Sequence, residues 1–243
     1  KLVLEEFLKG EEASYFLIVD RNHFLFMGSA QDHKRVGENE TGPNTGGMGA
    51  YSPALIINKK LEKKIIKKIV KPTLYALKLK KHPYTGFLYV GIMIKNNEPY
   101  LIEYNVRMGD PECQVIMPRL ETDLVQLLMA SVNNKLNKMT IKWKKDKCMT
   151  IVLCAKGYPN KKITSRRLKL NSVCLSKSSF IFHAGTIMKN GLIFSNGGRV
   201  LNIVVLGNVF LKIRSQIFKI IRTINWKHGF FRRDIGWRII KKK

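Results

Sequence analysis

The stretch LIEYNVRMGDPE, Leu101 to Glu112, decides how the rest of the chain is read, because it places metal-binding and anion-binding side chains in one short strand and turn. Read as a strand, it points Leu101, Glu103 and Asn105 to one face and Ile102, Tyr104 and Val106 to the other. A carboxylate beside an amide oxygen suits a hard cation such as Mg²⁺, which takes a few protein oxygens and fills its remaining positions with phosphate and water. Arg107 follows, and a guanidinium next to such a pair suits a phosphate or carboxylate held at two points. Met108 to Pro111 then make a turn. An isolated E-x-N is more often a solvated strand end, so the weight of this reading comes from the neighbouring stretches.

Working outward, EEFLKGEEAS (Glu5–Ser14), QDHKR (Gln31–Arg35) and GPNTGGMGAYSP (Gly42–Pro53) precede it, and FHAGT, NGGRVL and RRDIGWR follow. Gln31 to Pro53 is polar and glycine-rich, and a loop of that length inside a compact domain is usually functional or disordered. Gly42, Gly46, Gly47 and Gly49 allow backbone N–H groups to approach an anion, but no G-K-[ST] ending makes this a Walker A loop. Asp32, His33, Lys34 and Arg35 put two firm cations and a titratable ring beside it, although a lone histidine is more often structural than catalytic.

This ordered series resembles the signature of the glycinamide ribonucleotide synthetase family of ATP-grasp ligases, and the similarity runs the length of the chain. The resemblance implies an α+β fold, an ATP-grasp large-lobe antiparallel sheet with helices followed by a small α+β C-terminal domain. It implies ATP and Mg²⁺ (or Mn²⁺) as cofactors, with glycine and 5-phosphoribosylamine as the other substrates. ATP would phosphorylate glycine, and the amine of 5-phosphoribosylamine would attack the acyl phosphate. On the family pattern Glu5, Phe7, Leu8 and Glu12 lie on the nucleotide side, with backbone near Phe7 and Leu8 meeting adenine and Glu12 meeting the ribose hydroxyls. Asp32, His33, Lys34, Arg35, Asn44, Thr45, Gly46 and Gly47 form the substrate side. Glu103 and Asn105 are the expected metal ligands, Arg107 stabilises developing negative charge, and Asp110 orients an amine. His183, Arg199, Arg233 and Asp234 either face the cleft or pack domains as ion pairs.

The resemblance also implies a glycine-rich α/β domain and a small lobe that the sequence does not contain, so the chain is expected to be a C-terminal portion, inactive by itself and a monomer when complete. Another ATP-grasp ligase or carboxylase would share the metal strand but not GPNTGGMGAYSP. A basic nucleic-acid-binding protein is the other alternative, raised by 44 Lys and Arg against 17 Asp and Glu, net +27. The lysines are spread along the chain with no nucleic-acid motif, which fits compositional drift with lysines on solvated faces; no specific nucleic acid and no membrane partner are expected. The four cysteines have neither zinc nor disulfide spacing and read as buried reduced thiols, and the chain reads as soluble and cytoplasmic.

Coarse periodicity supplies the remaining elements. Lys1 to Ala13 reads as an apolar strand running into acids, Ser14–Asp20 and Phe24–Ala30 as a hairpin, and Lys59 to Lys80 as a helix that Pro72 ends or kinks. Gly86–Ile94 and Tyr100–Asn105 are antiparallel partners across Asn96 to Pro99. Asp123 and Gln126 cap a helix with Leu124, Leu127 and Leu128 facing the core. A boundary within Asn133–Asp146 divides an ATP-grasp part, 1–140, from a C-terminal domain, 141–243. In the latter, Asn190-Gly191 marks a hairpin and Val209–Trp226 an amphipathic helix.

Overall fold

A computed structural model of the chain describes residues 2, 4–161, 163–170 and 173–240. In chain order it contains β1 (Glu11–Asp20), β2 (Phe24–Asp32), β3 (Arg35–Gly37), β4 (Thr41–Asn44), β5 (Gly49–Ser52), α1 (Lys59–Ile65), α2 (Lys71–Leu79), β6 (Thr85–Lys95) and β7 (Glu98–Asn105). There follow α3 (Cys113–Ile116), α4 (Leu124–Val132), β8 (Lys147–Ala155), β9 (Arg167–Leu168), β10 (Ser179–His183), β11 (Thr186–Lys189), β12 (Leu192–Ser195), β13 (Arg199–Gly207), α5 (Phe210–Ile224), β14 (Gly229–Phe230) and α6 (Trp237–Ile240). The α+β class is as expected.

These elements gather into two compact units. The first takes Lys1–Ser29, Ala54–Met108 and Thr122–Lys142, and the second Ala30–Pro53, Gly109–Glu121 and Trp143–Lys243. Each unit is discontinuous in sequence. The cause is strand pairing: β5 runs antiparallel to β8, from Gly49 opposite Ile151 to Ser52 opposite Cys148, which binds the glycine-rich segment to the later part of the chain.

In the first unit the strand order is β2-β1-β6-β7. β1 and β6 pair along their whole length, from Glu11 opposite Ile94 to Asp20 opposite Thr85. Tyr15, Leu17, Val19, Val90 and Ile92 point from these strands into a core shared with Leu61, Ile65, Ile69 and Val70 of the helical segment. That burial supplies most of the stability of the amphipathic segment. Asn58 caps it, its side-chain oxygen accepting from Leu61 N at 2.9 Å. Pro72 does not end the helix. A π turn at Ile66–Val70 joins α1 to α2, and Lys71 N–H donates to Ile66 O. Pro72 then falls in the first turn of α2, where a missing N–H costs little.

Three further expectations need correction in this unit. Leu4–Lys9 forms no strand, and Leu4 and Phe7 are exposed. Asp123 does cap α4, accepting from Gln126 N at 2.9 Å, but Leu128 is exposed together with Val125, Met129 and Val132, while Leu127 is buried. The inward side of this helix is made by Leu127, Ala130 and Ser131, and Leu128 falls outside it. The β6–β7 turn is tighter than expected, made by Asn96 and Asn97 at φ 53° and 58°, a left-handed pair that asparagine tolerates well.

The second unit has strand order β10-β13-β8-β5, with Gln31 and Asp32 of β2 paired to Tyr51 and Ala50. α5 lays Ile213, Ile217, Ile220 and Ile224 onto a core with Ile151, Leu153, Leu201 and Ile203, and Asn225 ends it at φ 43°. A separate small sheet runs β11-β12-β9, and Asn190-Gly191 makes its hairpin. Gln31–Pro53 is not a loop throughout: β3 and β4 form a hairpin within it, and β5 joins the sheet. Of the thiols, Cys148 and Cys154 are buried, with burial pushing each pKa up to about 12, whereas Cys174 is exposed and Cys113 half-buried. Among the described residues no helix is long and apolar enough to cross a membrane.

Candidate functional site

In the first unit the expected metal pair sits on β7, beside a β-bulge. Gly91 pairs with Glu103 but Ile92 pairs with Leu101, so Ile102 is an extra residue and the strict alternation from Leu101 is broken there. Beyond the bulge the alternation holds. Asn105 Nδ2 donates to Glu103 Oε1 at 3.1 Å, so the two side chains stand side by side, Glu103 exposed and Asn105 half-buried. Gly91, across the ladder, leaves room for the acid, since a Cβ there would lie 3.1 Å from Glu103 Cγ. A carboxylate and an amide fit the small protein share of a Mg²⁺ shell. Among the described residues no cluster of three His, Cys, Asp or Glu stands ready to hold a metal. Arg107 is exposed, and its Nη1 donates to Met108 O at 3.0 Å.

All four nucleotide-side candidates come together. Glu5, Phe7, Leu8 and Glu12 line one cavity of about 450 Å³, whose other wall includes Met93, Leu101 and Ile102. It joins apolar surface to carboxylates, as an aromatic base with a hydroxylated sugar requires. The bulge helps build it, because Leu101 and Ile102 both turn to the cavity immediately before Glu103.

In the second unit the glycine-rich segment and the GDPE turn are tied by residues distant in sequence. Lys34 O accepts from Thr45 N at 2.7 Å and from Thr45 Oγ1 at 2.8 Å, and Gly47 N donates back to Thr45 Oγ1 at 3.0 Å. Gly47 has φ +108°, and a Cβ there would collide with Pro111 and lie 2.7 Å from Asp32 Oδ1, so glycine is required on both counts. Arg35 opposes Asn44 across β3 and β4 and donates to Gly42 O at 2.9 Å. Arg199 spans the two segments: Nη1 donates to Gly46 O and to Asp110 O, and Nη2 meets Asp110 Oδ2 at 2.8 Å. Gln114 Nε2 holds Asp110 Oδ1 at 2.8 Å, and the Tyr158 hydroxyl accepts from Gly46 N at 3.0 Å. The site therefore brings together Asp32, Lys34, Arg35, Asn44, Thr45, Gly46, Gly47 and Asp110.

His33 is the exception among the substrate-side candidates. It is fully buried, Nε2 accepts from Gly236 N and Nδ1 donates to Gly49 O, both at 3.1 Å. Both ring nitrogens are thus committed to backbone in one neutral tautomer. Burial, followed by the charges of Arg238 and Arg232, lowers its pKa to about 3. The ring thereby ties Gly49 to Gly236. Asp32 has the opposite environment: burial, with the charge of Glu112 next in size, raises its carboxyl well above the usual range.

Of the residues left open by the sequence, Arg199 reaches the site. Asp234 packs instead against Arg232, which is 1% exposed and also reaches Glu40 at 3.0 Å and Arg35 O at 2.9 Å. The Arg233 backbone N–H meets Glu38, and His183 pairs with Thr186. Sequence reasoning missed Glu112, Arg232 and Tyr158. Glu112 lay within the quoted signature, so its motif was a signal, whereas nothing local marked the other two.

Residues 1–113 match the profile described as phosphoribosylglycinamide synthetase, ATP-grasp (A) domain, and residues 148–238 match the C domain of the same synthetase. A Brucella melitensis protein named phosphoribosylamine–glycine ligase is 44% identical over 247 residues, which is 100% of this chain and 57% of that protein. A chloroplastic Arabidopsis thaliana relative of that name is 42% identical, with 47% of it covered. The chain thus spans about half the length of these relatives. The crystal structure of the phosphoribosylamine–glycine ligase of Thermotoga maritima superposes with a TM-score of 0.83 at 30% identity, over 95% of this chain and 57% of that one. A biotin carboxylase domain shares the fold alone, with a TM-score of 0.60 at 13% identity. The chain belongs to the phosphoribosylglycinamide synthetase family and carries its ATP-grasp (A) and C domains.

Proposed function

We propose that this chain forms the nucleotide-binding and acceptor-binding part of a ligase that joins glycine to 5-phosphoribosylamine. ATP phosphorylates the glycine carboxylate. The amine nitrogen attacks the resulting acyl phosphate, expelling phosphate and giving glycinamide ribonucleotide. No protein nucleophile is required, because phosphoryl transfer depends on positioning and charge neutralisation. The observation that carries this reading is the β7 layout, where the walls of the 450 Å³ cavity pass within three residues into Glu103 and Asn105.

Adenine would stack against Phe7, Leu8, Leu101 and Ile102, with Glu12 accepting from the ribose hydroxyls. Glu103 and Asn105 would hold Mg²⁺ or Mn²⁺, which supplies neutralisation of the phosphate oxygens. Arg107 is free to turn to an anionic oxygen, since its present acceptor is only the next carbonyl. Asp32, Lys34 and the Asn44–Gly47 segment would receive the acceptor substrates, with Asp110 orienting the amine. Compartment is not part of the family pattern, because the Arabidopsis relative is named chloroplastic.

The test joins this chain to the part of the Brucella relative that it does not span and measures ADP release. Release should need both glycine and 5-phosphoribosylamine. ATP hydrolysis that responds to bicarbonate and not to glycine would overturn the reading.

A further inference from the structure

The second unit holds a cavity that the proposed reaction does not use. It measures about 520 Å³, and its lining includes Arg167, Lys169, Thr223, Trp226, Lys227 and His228. No substrate-side candidate belongs to it, and among the described residues no carboxylate lines it. Trp226 Nε1 is buried and has no hydrogen-bond partner. An indole nitrogen is only a donor, and a native fold rarely leaves a buried donor without an acceptor.

The charge around it is one-sided. From Lys147 to Lys243 the chain carries 21 Lys and Arg but a single acid, Asp234, whereas residues 1–146 carry 23 cations and 16 acids. The net charge is therefore concentrated in this stretch by loss of acids, even though the lysines are spread. Asp234 is occupied by Arg232 at 2.8 Å. α5 ends beside the cavity, and the partial negative charge of its last carbonyls accounts for a nearby cation such as Lys227. It does not account for Arg167 and Lys169, which arrive from β9 and the residue after it.

We propose that this cavity binds a phosphate group, with Arg167, Lys169 and Lys227 supplying charge and the indole of Trp226 in its lining serving as a reporter. The phosphate is either the free ion or the end of a small ester, and the same groups recognise both.

The test follows the indole N–H resonances of the three tryptophans, Trp143, Trp226 and Trp237, in the whole chain by NMR, with Trp226→Phe assigning the relevant signal. Inorganic phosphate and ribose 5-phosphate are titrated separately, each against chloride at matched ionic strength. The Trp226 signal should move saturably while that of Trp143 stays still, and combining Arg167→Gln with Lys227→Gln should weaken the apparent affinity at least ~10-fold without altering the rest of the spectrum. Tighter binding of ribose 5-phosphate would identify an ester site, and equal affinity would identify a site for the phosphate group alone. The proposal is overturned if chloride moves the signal equally, if the double variant responds unchanged, or if only a single-stranded oligonucleotide produces the shift.

Discussion

Glu103 and Asn105 stand next to each other on β7, and among the described residues their side chains bond to one another alone. Asp110 and the Asn44–Gly47 segment are instead held from many directions, by Arg199, Tyr158, Gln114 and Lys34. The difference teaches how each is expected to respond to change. A side chain that ligates a mobile charge needs few protein partners, because its partner arrives with the substrate. A loop that must present backbone groups needs its conformation fixed beforehand, and that takes ties from elsewhere in the chain.

The largest expected effect follows from the pair on β7. Glu103→Gln keeps size and shape but removes the charge that would neutralise a bound cation. In the chimera with the Brucella portion, kcat should fall on the order of 100-fold or more, with the thermal midpoint unchanged because no buried bond is lost. Turnover within a few-fold of the parent at saturating Mg²⁺ would show that Glu103 is not a ligand.

The same contrast explains what was legible in the sequence. The side-by-side placement of Glu103 and Asn105 follows from a period of two within five residues, and α5 and the Asn190-Gly191 hairpin follow from equally local patterns. The Ile102 bulge was not legible, because it depends on which residue of β6 each residue of β7 meets. Nor was the membership of Ala30–Pro53 in the second unit, which is decided by pairing to β8 about a hundred residues later. Arg232 sits in RRDIGWR beside Arg233, and no local rule says which of the two is buried; packing against Glu40, Asp234 and the Arg35 carbonyl decides it.

Arg232→Ala should give the next largest effect, now on stability. It leaves Asp234 without its cation and Glu40 with only the longer contact to Arg238 at 3.5 Å, and breaking such a buried pair costs about 3 kcal/mol, near the low end for buried pairs because both acids still reach solvent. Chemical denaturation should show the loss, and Arg232→Lys should recover only part of it, having a single point charge in place of a fork. A loss under about 0.5 kcal/mol would mean that the network is ornamental.

Arg199→Ala should be milder and more selective. It releases Gly46 and Asp110 together but removes no buried charge. The expected result is a KM for the acceptor substrates raised ~10-fold, equivalent to about 1.4 kcal/mol, with the KM for ATP unchanged. Amide exchange should quicken at Thr45 to Met48 and not on β7. Equal changes in both KM values would remove the distinction drawn between the two regions.

The smallest effect is a matter of sign. Burial and Glu112 raise the Asp32 pKa in the folded state above its unfolded value, so the folded protein favours the protonated carboxyl. By linkage, the contribution of Asp32 to stability is fully present below the unfolded pKa and is lost as pH rises through the folded one. At neutral pH the ionised group is therefore a burden on the fold, which an acid retained only for packing would not impose. Asp32→Asn keeps an oxygen for the His33 N–H, now 2.6 Å from Asp32 Oδ1, and removes the charge. It should raise the denaturation midpoint at pH 7, and the gain should shrink as pH is lowered below the unfolded carboxyl range. If instead the variant is less stable at pH 7 and its deficit vanishes in acid, Asp32 is held as an anion by Lys34 and Arg199, and the strain assigned to the acceptor side does not exist.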